Sequence, residues 1–165
     1  MFSFQATAYV QSKLSYTKIM RILGIDPGTA IVGFGVIDVN GAKKVLVDAG
    51  VIRTPAHQPA QERLVTIYSE LKELIEEHKP QVMVVEQLFF ARNVTTAMTV
   101  SQARGVVLLI GEQMGLRLVE FTPLQIKQSI TGYGKADKKQ VQEMVRVVLN
   151  LHEVPKPDDC ADALA

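Results

Sequence analysis

The sequence predicts an α/β fold: a mixed five-stranded sheet in which three antiparallel strands precede parallel β/α units, flanked by helices. Two patterns lead to this prediction. Three strand-like segments separated by turns come first, and helical and strand-like segments then alternate. With 165 residues, 47% of them hydrophobic, the chain is long enough for one domain with a buried core.

The first three strands are predicted from apolar runs bounded by turn residues. Asn40-Gly41, between the second and third runs, is a strong signal for a two-residue hairpin. Asp26 follows the first run and leads into Pro27-Gly28, which fits an ordinary turn as well as a functional site. The predicted strands are residues 22–25, 33–39 and 44–53.

The β/α part begins with apolar residues at helical spacing from residue 64, and this helix ends before Pro80. Residues 81–85 form a continuous apolar strand that delivers Glu86 at its end. Because apolar residues also follow at 88–90, a carboxylate at Glu86 favours function over ordinary surface. The next predicted elements are a helix over residues 93–114 and a strand over residues 118–121.

The remaining helices are predicted from their caps. Residues 122–125 form a capping box with proline at the first helical position. Residues 137–140 combine an acidic N-cap with a glutamine three residues on, which predicts a helix to about residue 150. Pro155 and Pro157 precede a last helix that begins near Asp158.

Four carboxylates occupy strand ends or a helix start in this arrangement. Asp26 and Glu86 leave the carboxyl ends of their strands, which meet at one edge if the strands are neighbours. Asp159 and Asp162 are three residues apart, hence on one helix face, and N-capping explains Asp158 or Asp159 but not Asp162. Together the four predict a site for a divalent metal ion with oxygen ligands, and hence chemistry on phosphate.

The charge distribution is less even than the net charge of +1. Residues 127–146 carry five basic side chains against two acidic ones, and residues 153–162 are acidic. A basic face beside an acidic pocket is typical of a nuclease, although a solvated helix face remains an alternative.

Composition excludes several classes of protein. The one cysteine, Cys160, allows neither a disulfide framework nor a cysteine zinc site within the chain. No apolar run approaches the ~20 residues that span a bilayer, and residues 1–19 lack the pattern of a signal peptide. We therefore expect a cytoplasmic protein, with residues 1–19 an N-terminal extension, either a vector remnant or the product of an upstream start codon, and residues 20–165 the catalytic domain.

An ordered set of short motifs runs through residues 20–165, in the segments 22–29, 33–35, 85–87 with Phe89 and Asn93, 102–105, 127–128 and 161–165. Each motif alone is weak, and their order along one domain is specific. The set resembles the RuvC-type Holliday-junction resolvases, crossover junction endodeoxyribonucleases of the RNase H-like superfamily.

The resemblance implies an enzyme that resolves four-way DNA junctions by paired symmetric nicks in recombination and repair. It implies two Mg²⁺ ions per active site, with Mn²⁺ as a substitute, held by Asp26, Glu86, Asp159 and Asp162 as metal-binding catalytic residues. Some family members carry histidine at the position of Asp159. Catalytic roles are also implied for Lys127 and Lys138. The residues expected to contact DNA are Phe89, Arg92, Arg104, Lys127, Lys135 and Lys138. For Arg104, contact with phosphate and support of a carboxylate are both left open.

The resemblance further implies a homodimer, for which residues 98–109 are a plausible interface, and a branch-migration motor as partner. Family chains continue the last helix for several turns, whereas this chain stops at Ala165, so we expect a truncated helix there. Three alternatives remain: an RNase H-like nuclease acting on RNA, a sugar-kinase or actin-like ATPase, and a protein that binds junctions without cutting them. The ATPase would need a second phosphate motif and a longer chain.

Overall fold

The computed structural model describes residues 19–88 and 94–165. Residues 1–18 of the predicted extension, and Phe89, Arg92 and Asn93, lie outside the described residues. The strands are β1 (Met20–Asp26), β2 (Ile31–Asn40), β3 (Lys43–Arg53), β4 (Val82–Glu86) and β5 (Arg117–Phe121). The helices are α1 (Ala60–His78), α2 (Val94–Gln113), α3 (Pro123–Thr131), α4 (Lys138–Val148) and α5 (Asp158–Leu164).

The predicted mixed sheet is confirmed, with strand order β3-β2-β1-β4-β5. β2 pairs antiparallel with both β1 and β3, whereas β4 pairs parallel with β1 and with β5. β1 therefore stands at the change from antiparallel to parallel pairing, in the middle of the sheet. The carboxyl end of a strand in this position lies beside several other elements, which favours a ligand-binding site there.

Strand alternation divides the sheet into two different faces. Leu23, Ile25 and Val85 point toward α1 and α2 and belong to the main hydrophobic core. The core also contains Leu71 of α1 and Val107 of α2, all five residues being at most 2% exposed. Asp26 and Glu86, one residue further along β1 and β4, therefore project to the opposite face, which α5 and α3 cover.

Three glycines explain how closely α5 approaches this second face. A Cβ atom on Gly24 would overlap the carbonyl oxygen of Ala163, and one on Gly33 would overlap that of Asp159. At Gly35 the side chain of Leu164 fills the same space. The backbone of α5 thus lies directly on β1 and β2, which positions its carboxylates relative to the sheet edge.

Element boundaries differ from the predictions at a few positions. The hairpin turn consists of Gly41 and Ala42, because Asn40 still pairs with Lys43 as the last residue of β2. Gly41 has φ of +60°, the left-handed conformation that glycine adopts without strain. The capping boxes at Thr122 and Asp137 are both formed as predicted. Within the described ranges, every helix is too short or too polar to cross a lipid bilayer.

Candidate active site at the carboxyl ends of β1 and β4

Asp26 and Glu86 lie beside each other because their strands are parallel neighbours. Ile25 of β1 pairs with Val85 of β4, and each carboxylate is the next residue and the last of its strand. Both side chains are only partly exposed. The sequence predicted that these two residues share a sheet edge if the strands are adjacent, and the register provides that adjacency.

Asp162 reaches the same region from α5. It lines one cleft of about 290 Å³ together with Glu86, Lys127 and Lys138. The Lys138 ammonium lies 2.9 Å from Oδ2 of Asp162 and 3.5 Å from Oδ2 of Asp158. Three helices, α3, α4 and α5, thus contribute charged side chains to the cleft above the ends of the strands.

The carboxylates of Asp26 and Glu86 are partly buried and are repelled by the other acidic side chains of the site. Burial, followed by the negative charges of Asp162 and Asp159, raises the pKa of Asp26 to about 6, against the effect of Lys138. Burial, followed by the charges of Asp26 and Asp162, raises the pKa of Glu86 to about 7, against the effect of Lys127. Asp159 therefore acts electrostatically on Asp26 although it is not among the residues that line the cleft.

The donor chemistry of this group fits a hard divalent cation, because carboxylate oxygens are the ligands that Mg²⁺ and Mn²⁺ prefer. A cation would also relieve the repulsion that raises the pKa values of Asp26 and Glu86. In residues 19–88 and 94–165, however, no three His, Cys, Asp or Glu side chains are already gathered closely enough to hold an ion. The Lys138 ammonium is in contact with Oδ2 of Asp162 in this arrangement. Binding of a metal ion to this carboxylate therefore requires that contact to rearrange.

Arg104 lies behind the strand ends rather than in the cleft. Its Nε donates a hydrogen bond to the backbone carbonyl of Glu86 at 3.3 Å, and its guanidinium forms an ion pair with Glu120 of β5. The side chain is 20% exposed. The sequence left open whether Arg104 contacts phosphate or supports a carboxylate, and these contacts favour support of β4 next to Glu86.

A support for the Asp26 turn was missed by the sequence reasoning. The Thr54 hydroxyl donates to the carbonyl of Thr29 at 2.6 Å and accepts from Nε of Arg63 at 2.8 Å. The Thr54 N–H also donates to the carbonyl of Ala30, and Thr54 is only 7% exposed. One buried hydroxyl therefore ties α1 to the loop after Asp26. The available signal was a lone threonine between the end of a strand and Pro55.

The remaining residues expected to contact DNA are distributed around the cleft. Lys135 is exposed on the loop between α3 and α4. Phe89 and Arg92 follow the end of β4 in sequence but lie outside the described residues. Lys127, Lys135 and Lys138 thus all lie on α3, on α4 or on the loop between these two helices.

Comparison with known proteins gives one consistent result. The family model described as crossover junction endodeoxyribonuclease RuvC matches residues 22–165. The protein of that name from Desulfitobacterium hafniense (strain DSM 10664 / DCB-2) is 58% identical over 146 residues, or 88% of each chain. The one from Heliobacterium modesticaldum is 56% identical and covers 88% of this chain and 90% of its own.

Solved structures agree with this result. Thermus thermophilus RuvC in complex with Holliday junction substrate superposes with a TM-score of 0.83 at 37% identity, over 88% of both chains. The yeast mitochondrial Holliday junction resolvase Ydc2 shares the fold alone, with a TM-score of 0.64 at 17% identity. The fold, the match over almost the whole described chain and the identity to these relatives lead to one conclusion: this chain belongs to the RuvC family of crossover junction endodeoxyribonucleases.

Proposed function

We propose that this protein is an endonuclease that resolves four-way DNA junctions by hydrolysing phosphodiester bonds, in recombination and repair. One observation carries the proposal beyond family membership: Asp26, Glu86 and Asp162 converge from two strands and a helix beside Lys127 and Lys138. An acidic group for metal ions bordered by cations for phosphate is the arrangement that metal-assisted hydrolysis of DNA requires.

Members of the family are metal-dependent nucleases, and we propose Mg²⁺ as the metal, two ions per active site, with Mn²⁺ as a substitute. Asp26, Glu86, Asp159 and Asp162 are the proposed ligands. The chemistry that the ions supply, when bound, is activation of the attacking water and stabilisation of the leaving 3′ oxygen. The raised pKa values of Asp26 and Glu86 mean that these carboxyls hold protons near neutral pH without metal, so binding of a cation is coupled to release of those protons.

The two lysines of the cleft act on the DNA in this proposal. Lys127 and Lys138 attract the scissile phosphate and neutralise the charge that develops on it during displacement. For Lys138 this requires leaving Asp162, to which its ammonium is 2.9 Å away. Arg104 keeps the end of β4 in place, and Thr54 does the same for the turn after Asp26.

The partners follow from the substrate. A four-way junction has two equivalent strands to cut, and a homodimer with twofold symmetry supplies two active sites for them. We propose such a dimer, with residues 98–109 of α2 at its interface. Met98 and Leu109 are 63% and 52% exposed in the single chain, which supports this. A branch-migration motor and a cytoplasmic location fit a substrate made of chromosomal DNA.

The experiment that tests the function compares the wild-type protein with Asp26→Asn on an immobile four-way DNA junction in Mg²⁺ and in Mn²⁺. We expect paired symmetric nicks from the wild type, and binding without nicks from Asp26→Asn. A matching junction made of RNA tests the alternative substrate, which the identity to deoxyribonucleases does not favour. Tight binding without cutting by the wild-type protein in either metal would contradict the nuclease and leave a junction-binding protein.

A further inference from the structure

An aromatic side chain is exposed close to the active site without a role in the proposed mechanism. Tyr133 lies between Gly132 and Gly134, in the loop that joins α3 to α4, and is 56% exposed. Within the described part of the chain its hydroxyl makes no hydrogen bond. A large ring that is more than half exposed, with a hydroxyl that has no partner among the described residues, is available for a ligand.

The loop that carries this ring is held in one conformation by its own hydrogen bonds. The Thr131 hydroxyl lies 2.7 Å from the carbonyl oxygen of Lys127 and accepts from the Tyr133 N–H at 3.1 Å. The Gln128 amide donates to the Gly132 carbonyl at 2.8 Å, and the Ala136 N–H donates to the Tyr133 carbonyl at 3.0 Å. A ring presented on a fixed backbone loses little conformational entropy on binding.

The ring is carried by the loop that connects the two lysine-bearing helices of the catalytic cleft. The loop runs from the helix that carries Lys127 to the helix that begins at Lys138, and both lysines line the cleft. Lys135 is exposed on the loop itself. Tyr133 also borders a hollow of about 480 Å³ that is lined by Lys139, Gln140 and Met144 and by two carboxylates. Both carboxylates have partners, since Asp137 caps α4 and Glu143 pairs with Arg146. The hollow is large enough for a nucleobase and its sugar.

We propose that Tyr133 is a DNA-contact residue that stacks on an unpaired nucleobase of the bound junction, with the base at the hollow formed by the loop and α4. The proposal rests on the proposed function, because it needs a DNA strand that passes over the cleft. Stacking on an exposed aromatic ring beside lysines that hold the backbone is the usual way in which proteins bind single-stranded segments. A second copy of this chain would instead require an apolar surface, whereas the ring lies among the charged side chains of Asp137, Lys139 and Glu143.

The test uses the wild-type protein in Ca²⁺, to limit cutting, and junctions with the fluorescent base 2-aminopurine at single positions around the branch point. We expect quenching at one of these positions on binding, retained in Tyr133→Phe and lost in Tyr133→Leu and Tyr133→Ala. Affinity for the junction should fall about tenfold in the two variants without a ring. Val65→Ala, at a 64% exposed position on α1, is the matched control and should bind as the wild type does.

Several results would overturn the proposal. Unchanged affinity and quenching in Tyr133→Ala would exclude the contact, and normal cutting by the wild type in Mg²⁺ would show that the proposed function still holds. A shift of Tyr133→Ala toward monomers in sedimentation, with junction affinity per dimer unchanged, would assign the ring to a protein interface. If the wild type neither binds nor cuts junctions, the proposed function fails first. Melting temperatures within about 2 °C of wild type verify that the variants are folded.

Discussion

The ammonium of Lys138 lies 2.9 Å from a carboxylate oxygen of Asp162, so the chain places its own cation on a proposed metal ligand. The contact raises the pKa of Lys138, chiefly through the hydrogen bond to Asp162. An ammonium and a divalent cation at the same carboxylate repel each other, so each weakens the other's contact with Asp162. Metal binding and the position of Lys138 are therefore coupled, and displacement of the lysine by a metal ion would free it for the DNA phosphate.

The coupling predicts opposite effects of Lys138→Gln on binding and catalysis. Without the ammonium, Asp162 is free and the repulsion at Asp26 increases, so Mn²⁺ should bind several-fold more tightly in calorimetric titration. Junction cutting should fall at least tenfold, because a cation that acts on the phosphate is lost. Lys44→Gln, at an exposed position of β3 away from the cleft, is the matched control. Weaker Mn²⁺ binding by Lys138→Gln would show that the lysine supports the ligands instead of competing for them.

The raised pKa values predict how stability depends on pH without metal. Asp26 and Glu86 have folded-state pKa values of about 6 and about 7, above their ordinary values of 3.8 and 4.5. An acid with a raised pKa contributes stability that is fully present below its unfolded-state pKa and is lost as pH rises through its folded-state pKa. The loss attributable to these two residues should therefore occur between about pH 4 and pH 7.

Asp26→Asn isolates this contribution. In EDTA at pH 8 the variant should be more stable than the wild type by about 1 kcal/mol, a value already reduced for partial screening by solvent. At pH 4, where the carboxyl is largely protonated in the folded state, the advantage should disappear. Denaturant unfolding at both pH values measures the difference, and added Mg²⁺ at pH 8 should reverse its sign. A difference in unfolding free energy that is the same at both pH values would mean that ionisation of Asp26 does not destabilise the folded protein.

The fold could be predicted to this extent because its signals are local. Apolar runs and capping boxes identify the elements, and the ends of β1 and β4 locate Asp26 and Glu86. The pairing of Lys138 with Asp162 could not be predicted, because it depends on how α4 packs against α5. The same holds for Thr54, whose hydroxyl contacts residues 25 positions before it and nine positions after it. Even the hairpin turn moved by one residue, since Asn40 pairs within the strand.

Thr54→Val tests the support of the Asp26 turn. Valine keeps the shape of threonine but leaves the Thr29 carbonyl and the Arg63 Nε without this partner, which should cost about 1–3 kcal/mol. We also expect weaker metal binding, because the turn that carries Asp26 is less well fixed. Thr66→Val is the matched control: among the described residues its hydroxyl bonds only to the carbonyl of Glu62, one turn earlier in α1. Equal stability of the two variants in urea would show that the buried hydroxyl contributes nothing.

The approach of α5 to the sheet gives the sharpest structural prediction. At Gly24 an added Cβ meets the carbonyl oxygen of Ala163, and at Gly33 it meets that of Asp159. These are backbone atoms, so neither can move aside without moving the helix. Gly24→Ala should therefore displace α5, and with it Asp159 and Asp162. The displacement should move these carboxylates out of position for binding a metal ion. We expect a stability loss of about 1–3 kcal/mol and loss of tight Mn²⁺ binding.

Gly105→Ala is the control, because the same one-atom addition there has the opposite expected effect. Gly105 lies within α2, in the proposed dimer interface, and no atom of the described residues of the single chain lies within 4 Å of an added Cβ. Alanine should therefore raise helix stability by roughly 0.5–1 kcal/mol and leave Mn²⁺ binding per chain unchanged. Urea unfolding and calorimetry on the two variants separate a general effect of glycine replacement from displacement of α5. Since α5 is only seven residues long, its position depends on packing against the sheet rather than on its own helix stability. If Gly24→Ala bound Mn²⁺ as the wild type does, Asp159 and Asp162 would not be needed where α5 now holds them, and their assignment as ligands would be wrong.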